Sequence, residues 1–278
     1  MIAPLINTQD IPSKNDTIII DARSGPDAYS RYLQSHLEGA FHVDLERDLS
    51  EKPKDPAYGG RHPLPPIKSF VALLGNLGIT PSTRVIAYDD KSGANAAARF
   101  WWMLRALGHE RVQVVNGGLD ALVRAGLPMT EKKPEAKRAS PYPANAWNLP
   151  TVTIDDVGAA AADPDSLVID VREAYRYRGE REPIDLVAGH IPGAINIPYL
   201  NNLSEDGTFR SDEQLAELYK EALDKRDPKN VIVHCGSGVT ACHTLLALEE
   251  AGIKGANLYV GSWSEWSRRD LPIGTGDQ

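Results

Sequence analysis

The chain has 278 residues, room for two ordinary domains. Apolar residues make up 42% and charged residues 24%, a globular composition, and the net charge of −8 with no basic run disfavours nucleic acid as a partner. No apolar stretch reaches membrane-spanning length, and MIAPLINTQDIP at the start lacks the regions of a signal peptide. Two cysteines, Cys235 and Cys242, make no disulfide framework, so a reducing, cytoplasmic setting without a membrane is expected.

In chain order, residues 18–21 read as a β-branched strand, 26–35 as a helix and 41–43 as a short strand. Phe70, Val71, Leu73, Leu74 and Leu77 mark a helix, followed by a strand at 85–88 and a helix at 96–107. A strand at 112–115 and a helix at 119–125 complete the set. Residues 132–150 hold Pro134, Pro141, Pro143 and Pro150 with little periodicity, the signature of an extended linker. The pattern then repeats. Asp21-Ala22-Arg23 returns as Asp170-Val171-Arg172, His36-Leu37-Glu38-Gly39-Ala40 as His190-Ile191-Pro192-Gly193-Ala194, and Arg84-Val85-Ile86-Ala87-Tyr88 as Asn230-Val231-Ile232-Val233-His234. A capping box, Ser211 with Gln214, opens a helix of the second copy. Strand–helix alternation predicts an α/β fold: two tandem domains, 1–131 and 151–278, joined by 132–150, each a mostly parallel sheet with helices on both faces.

The most informative stretch is 230–252, NVIVHCGSGVTACHTLLALEEAG. It reads as a buried strand, a loop Cys235-Gly236-Ser237-Gly238-Val239-Thr240, and an amphipathic helix stopping at Gly252. A cysteine at a strand end and before a helix N-terminus meets free amides and the positive end of a helix dipole, which suit an anionic sulfur. The glycines let the loop curl so that several N–H groups face one atom. A buried structural cysteine is the alternative. In the first copy the same place holds Asp89, so only the second copy can carry thiol chemistry.

These residues resemble the two-domain rhodanese-type sulfurtransferases over essentially the full length. The resemblance rests on His-x-x-Gly-Ala in both copies, WWMLRALGH (101–109), Asn116-Gly117-Gly118, CGSGVT (235–240) and GSWSEW (261–266). It implies that Cys235 accepts a sulfane sulfur as a persulfide from a small-molecule donor and passes it to a thiol, such as a thioredoxin-like protein, or to cyanide, with no cofactor or metal. The loop is similar to the 3-mercaptopyruvate version, CG[ST]GVT, and differs from CRKGVT of the thiosulfate branch. The neutral Gly236-Ser237 pair suits a monoanionic keto acid, with Gly238, Val239 and Thr240 completing the substrate cradle. The resemblance further makes Arg176 the arginine for the donor carboxylate and Ser237 the group that serves the leaving enolate. It suggests a relay from Asp27 and His36 to Ser237. The family's second arginine has no clear match in Glu180-Arg181-Glu182-Pro183-Ile184-Asp185, where Arg181 is the candidate.

Three other readings meet obstacles in the residues themselves. A cysteine-dependent phosphatase needs an arginine six residues after the cysteine, where this chain has Ala241. A metal site from His234, Cys235, Cys242 and His243 is opposed by the alternation of neighbouring side chains along a strand. A non-catalytic binding module is opposed by the intact cysteine loop.

Overall fold

A computed structural model of the chain describes residues 2–12 and 17–277. They form two compact units. The first comprises Met1–Glu51, Leu64–Asn148 and Glu205–Phe209, and the second Lys52–Pro63, Leu149–Ser204 and Arg210–Gln278. These divisions differ from the expected ones in three places, one of them Glu205–Phe209, which goes with the first unit. The proline-rich stretch goes with the first unit, where Ala139 N–H donates to Gly75 O (2.8 Å) and Tyr142 N–H to Val71 O (2.9 Å). Residues 52–63, from the first half of the sequence, go with the second unit.

In the first unit the strands are β1 (Leu5–Ile6), β2 (Thr17–Asp21), β3 (His36–Leu37), β4 (Ala40–His42), β5 (Arg84–Tyr88), β6 (Val112–Val115) and β7 (Met129–Thr130). Its helices are α1 (Ala28–Gln34), α2 (Leu45–Asp48), α3 (Ile67–Leu77), α4 (Ala96–Ala106) and α5 (Gly118–Arg124). The main sheet runs β1-β6-β5-β2-β4, every pair parallel, and β3 pairs β7 antiparallel at its side. The second unit has β8 (Thr151–Val152), β9 (Leu167–Asp170), β10 (Ile195–Asn196), β11 (Val231–His234) and β12 (Asn257–Tyr259), with α6 (Ile154–Ala161), α7 (Ala174–Tyr177), α8 (Asp212–Leu223), α9 (Ala241–Glu250) and α10 (Ser262–Trp266). Its parallel sheet runs β10-β9-β11-β12-β8, the same order read from the other edge.

The repeated motifs now have physical reasons. β11 is buried along its whole length in the middle of its sheet, which is why it reads as Val-Ile-Val without alternation. Each such side chain contributes about 1.5–3 kcal/mol by leaving water. The Asp-x-Arg motif is a buried fork at the end of β2 and β9. Arg23 Nη2 donates to Asp21 Oδ2 at 2.7 Å, and Arg172 Nη2 to Asp170 Oδ2 at 2.6 Å. The repeated histidines hold the chain as it enters the next element. His36 Nδ1 lies 2.7 Å from Tyr32 O, and His190 Nδ1 2.8 Å from Tyr177 O, with each ring stacked on that tyrosine.

Helix α8 starts at the expected capping box, Ser211 accepting from Gln214 N–H and Gln214 reaching back. Helix α9 differs from the amphipathic expectation, because residues 241–248 are buried on every side. Its polar His243 and Thr244 are accommodated by Asn202, whose Nδ2 lies 3.3 Å from His243 Nδ1 and 3.2 Å from Thr244 Oγ1.

Candidate active site

The loop between β11 and α9 is anchored from α10. Trp263 N–H donates to Cys235 O (3.0 Å), Ser264 N–H to Gly236 O (2.8 Å), and Cys235 N–H to Ser262 Oγ (3.2 Å). All peptides among the described residues are trans. In a planar trans peptide the N–H points opposite to the carbonyl. The Gly236 and Ser237 N–H groups therefore point away from α10. Gly238 lies at φ +72°, and a Cβ there would sit 2.5 Å from Val260 O, so only glycine turns the chain back to Val239 and Thr240. Thr240 precedes the first residue of α9, and Val239 O and Thr240 O accept from Cys242 and His243 N–H. The Cys235 side chain stays buried at 3% exposure.

The first unit shows what this loop geometry binds. Leu119 N–H donates to Asp89 O (2.8 Å), as Trp263 N–H does to Cys235 O. From that equivalent position Asp89 turns its carboxylate into the loop. Oδ1 accepts from Lys91 and Gly93 N–H at 2.9 and 2.8 Å, and Oδ2 from Asn95 and Ala97 N–H, both at 3.1 Å. Burial raises the Asp89 pKa, opposed by these donors. The first copy carries its own anion where the second carries a thiol.

The histidine beside Ser237 is His62, whose Nδ1 lies 2.7 Å from Ser237 Oγ, both buried. His36 is committed elsewhere, its ring nitrogens facing Tyr32 O and Lys132 O. Asp27 is an exposed residue at the start of α1, paired with Arg31 at 3.2 Å. His62 is held by the 52–63 segment, which is pinned to α10: Gly59 N–H donates to Glu265 Oε1 (2.9 Å) and Arg61 N–H to Ser264 Oγ (3.0 Å). Gly60, at φ +79°, packs so closely that a Cβ would lie 2.3 Å from Gly261 O.

Charged side chains surround Gly236. A Cβ on it would be 3.1 Å from Arg61 Nη2, 3.4 Å from Arg176 Nη2 and 3.6 Å from Asp185 Oδ2. Each nitrogen of Arg176 meets a carboxylate, Nη2 2.8 Å from Glu182 Oε1, Nη1 3.3 Å from Glu173 Oε2 and Nε on both Glu182 oxygens, which leaves one N–H on each of Nη1 and Nη2 for a donor. Burial works against its charge, but Glu182 and Glu173 outweigh that and raise its pKa. Burial likewise pushes Glu182 up, and the hydrogen bonds from Arg176 and from Ile184 and Asp185 N–H hold it below the usual carboxylate range. Asp185, its side chain fully buried, collects Arg61 at 3.0 Å, Arg268 at 3.1 Å and Arg176 at 3.6 Å. Arg181 is exposed. The structure thus brings together Cys235, Gly236, Ser237 and Arg176 from the expected set, and adds His62 and Arg61.

Two units share this sheet order, and the matching loop holds the Asp89 carboxylate in one and begins at Cys235 in the other. The rhodanese-like domain family matches residues 7–125 and 153–269, and the chain belongs to that family. It is 40% identical to a probable 3-mercaptopyruvate sulfurtransferase of Pseudomonas aeruginosa over 99% of both chains. It is 39% identical to a putative thiosulfate sulfurtransferase, SseB, of Mycobacterium tuberculosis, over 93% of this chain and 90% of the relative. Among solved structures, 3-mercaptopyruvate sulfurtransferase from Leishmania major superposes with a TM-score of 0.77 at 32% identity, over 91% of this chain and 70% of that one.

Proposed function

We propose that this sulfurtransferase moves a sulfane sulfur from 3-mercaptopyruvate to a thiol or cyanide acceptor through a persulfide on Cys235. The observation that carries the reading is the pair of equivalent loops. Four N–H groups converge on a carboxylate at Asp89, and the same frame presents Cys235. Such a cradle suits a thiolate and the persulfide that replaces it.

In the first half-reaction the Cys235 thiolate attacks the donor sulfur. A S–S bond forms, the donor C–S bond breaks, and its electron pair leaves as the enolate of pyruvate. The enolate needs one proton, and Cys235 released one on becoming a thiolate. Ser237 and His62, 2.7 Å apart, are placed to carry it. Arg176 orients the donor carboxylate beside Gly236. In the second half-reaction an acceptor thiol takes the outer sulfur and returns Cys235 to the thiol. A thioredoxin-like protein fits that role. Both cysteines are free thiols and no described helix is long and apolar enough to cross a membrane, in keeping with a reducing, cytoplasmic setting.

Thiosulfate is the second reading, favoured by the two guanidinium groups at Gly236, which suit a dianion. Steady-state rates with the two donors side by side decide between them, and a preference for thiosulfate overturns the first. Intact-protein mass after donor treatment tests the shared chemistry. A gain of one sulfur atom, lost in Cys235→Ser, is the expected result, and no gain with either donor refutes it.

A further inference from the structure

We infer that Arg61 is the second arginine of the donor site, supplied from the 52–63 segment in place of one from the stretch after Arg176. The inference rests on the sulfur-donor reading above and names a residue within it. Four observations carry it.

Arg61 Nη2 would lie 3.1 Å from a Gly236 Cβ, nearer than Arg176 Nη2 at 3.4 Å. Both guanidinium groups therefore pack against Gly236, the residue next to Cys235. Arg61 also has hydrogen-bonding capacity to spare. Its Nε and Nη2 face Asp185, at 3.0 and 3.4 Å, and no described residue is hydrogen-bonded to its Nη1. Arg176, by contrast, has Nε, Nη1 and Nη2 on carboxylates already.

The Arg61 side chain is a quarter exposed, while that of Arg176 is 7% exposed, so Arg61 is the more accessible of the two guanidinium groups at Gly236. Its backbone is fixed as well. Arg61 N–H is held by Ser264 Oγ, the neighbouring His62 is held by Ser237, and Ser264 N–H holds Gly236 O. One short segment therefore sets the arginine for the donor anion and the histidine for its leaving group in fixed register with the cysteine loop.

Asp185 holds this arginine beside Gly236. Arg61, Arg176 and Arg268 share it, and Glu182 and Glu173 add two more negative charges on Arg176. Glu182 is also shared with Arg172, at 3.2 Å, so these carboxylates hold the arginines in place, and a guanidinium fork so held can meet a planar carboxylate through two parallel hydrogen bonds.

The test is steady-state kinetics of Arg61→Met and Arg61→Lys in the full chain, with 3-mercaptopyruvate and thiosulfate each varied. Asp185 keeps Arg268 and Arg176 in these variants, so folding should survive, which thermal melting checks. Arg61→Met is expected to raise KM for 3-mercaptopyruvate roughly 10- to 100-fold, the range of a lost charged hydrogen bond, while kcat at saturation changes less than about threefold. Arg61→Lys should recover part of the KM. An unchanged KM in Arg61→Met for whichever donor the wild type uses overturns the inference, as does a rise on Arg181→Met instead. Equal loss of kcat for both donors, with KM unmoved, would assign Arg61 a structural role and overturn it too. If the wild type uses only thiosulfate, the donor reading fails on its own, and KM for thiosulfate in Arg61→Met still decides the role of Arg61.

Discussion

His62 Nδ1 stands 2.7 Å from Ser237 Oγ, across 175 residues of sequence and with both side chains buried. At that distance a proton can pass between serine and imidazole in either direction, and burial keeps bulk water from substituting for them. The pair matters only where the leaving group needs a proton. Pyruvate enolate does. Sulfite, expelled when the thiolate attacks thiosulfate, leaves as a stable dianion without one.

This asymmetry gives a sharp expectation. His62→Gln should lower kcat with 3-mercaptopyruvate about 100-fold, the lower end of general acid–base contributions, and lower kcat with thiosulfate less than about tenfold. Comparable losses with both donors would make His62 a support for the loop rather than a proton carrier.

Glycine substitutions separate backbone strain from collision. Gly238 and Gly252 both have positive φ, +72° and +78°, but a Cβ at Gly238 meets Val260 O at 2.5 Å while one at Gly252 meets nothing within 4 Å. Gly252→Ala should cost about 1 kcal/mol of stability and leave sulfur transfer intact. Gly238→Ala must also push the loop off Val260, and should slow persulfide formation at least tenfold, read by single-turnover mass measurements. Equal effects at the two positions would contradict the close approach seen at Val260.

Much of this molecule could be read from the sequence because it repeats. Asp-x-Arg and His-x-x-Gly-Ala recur because each is a device built inside its own unit, a buried fork across two residues and a ring stacked on a tyrosine 4 or 13 residues earlier. The same recurrence argues against His36 as a catalytic group, since His190 makes the same contacts in the second unit. Arg61 and His62 were not legible for the opposite reason. Their segment lies outside the repeat, carries no apolar period, and reaches Ser237 and Asp185 only through tertiary packing. The sole local hint is the pair Gly59-Gly60 ahead of Arg-His-Pro, punctuation without a repeat partner. The pairing of Arg176 with Glu182 could be expected from their closeness in sequence, but its burial could not, because surface and buried ion pairs look alike in sequence.

The carboxylate in the first unit predicts a loss confined to that unit. Asp89→Ala leaves the N–H groups of Lys91, Gly93, Asn95 and Ala97 without their acceptor, those of Gly93 and Ala97 in buried surroundings. Buried unpaired donors cost about 1–3 kcal/mol each, and partial rearrangement leaves an expected loss of about 3 kcal/mol. Scanning calorimetry should show a lowered transition, while the sulfur gained on Cys235 stays at the wild-type amount. Loss of persulfide formation at full stability would give Asp89 a part in the chemistry, against this expectation.

Acidification provides the remaining test, because Asp170 and Glu182 both titrate below their ordinary values. Burial pushes each up, but Arg172 and His234 at Asp170, and Arg176 with two backbone N–H groups at Glu182, outweigh it. A carboxylate whose folded pKa lies below its unfolded value binds fewer protons folded than unfolded. Its stabilisation is complete above the unfolded pKa, about 4, and is lost as pH falls through the folded value. Stability should therefore be flat from neutral pH to about 5 and fall below about 4. Asp170→Asn removes one charge of a fully buried pair, 2.6 Å from Arg172 Nη2, and should cost about 3 kcal/mol at neutral pH. In Glu182→Gln the acid limb should flatten. Urea midpoints across this range check both, and an acid limb as steep in the double variant as in the wild type would show that other carboxylates hold the second unit together at low pH.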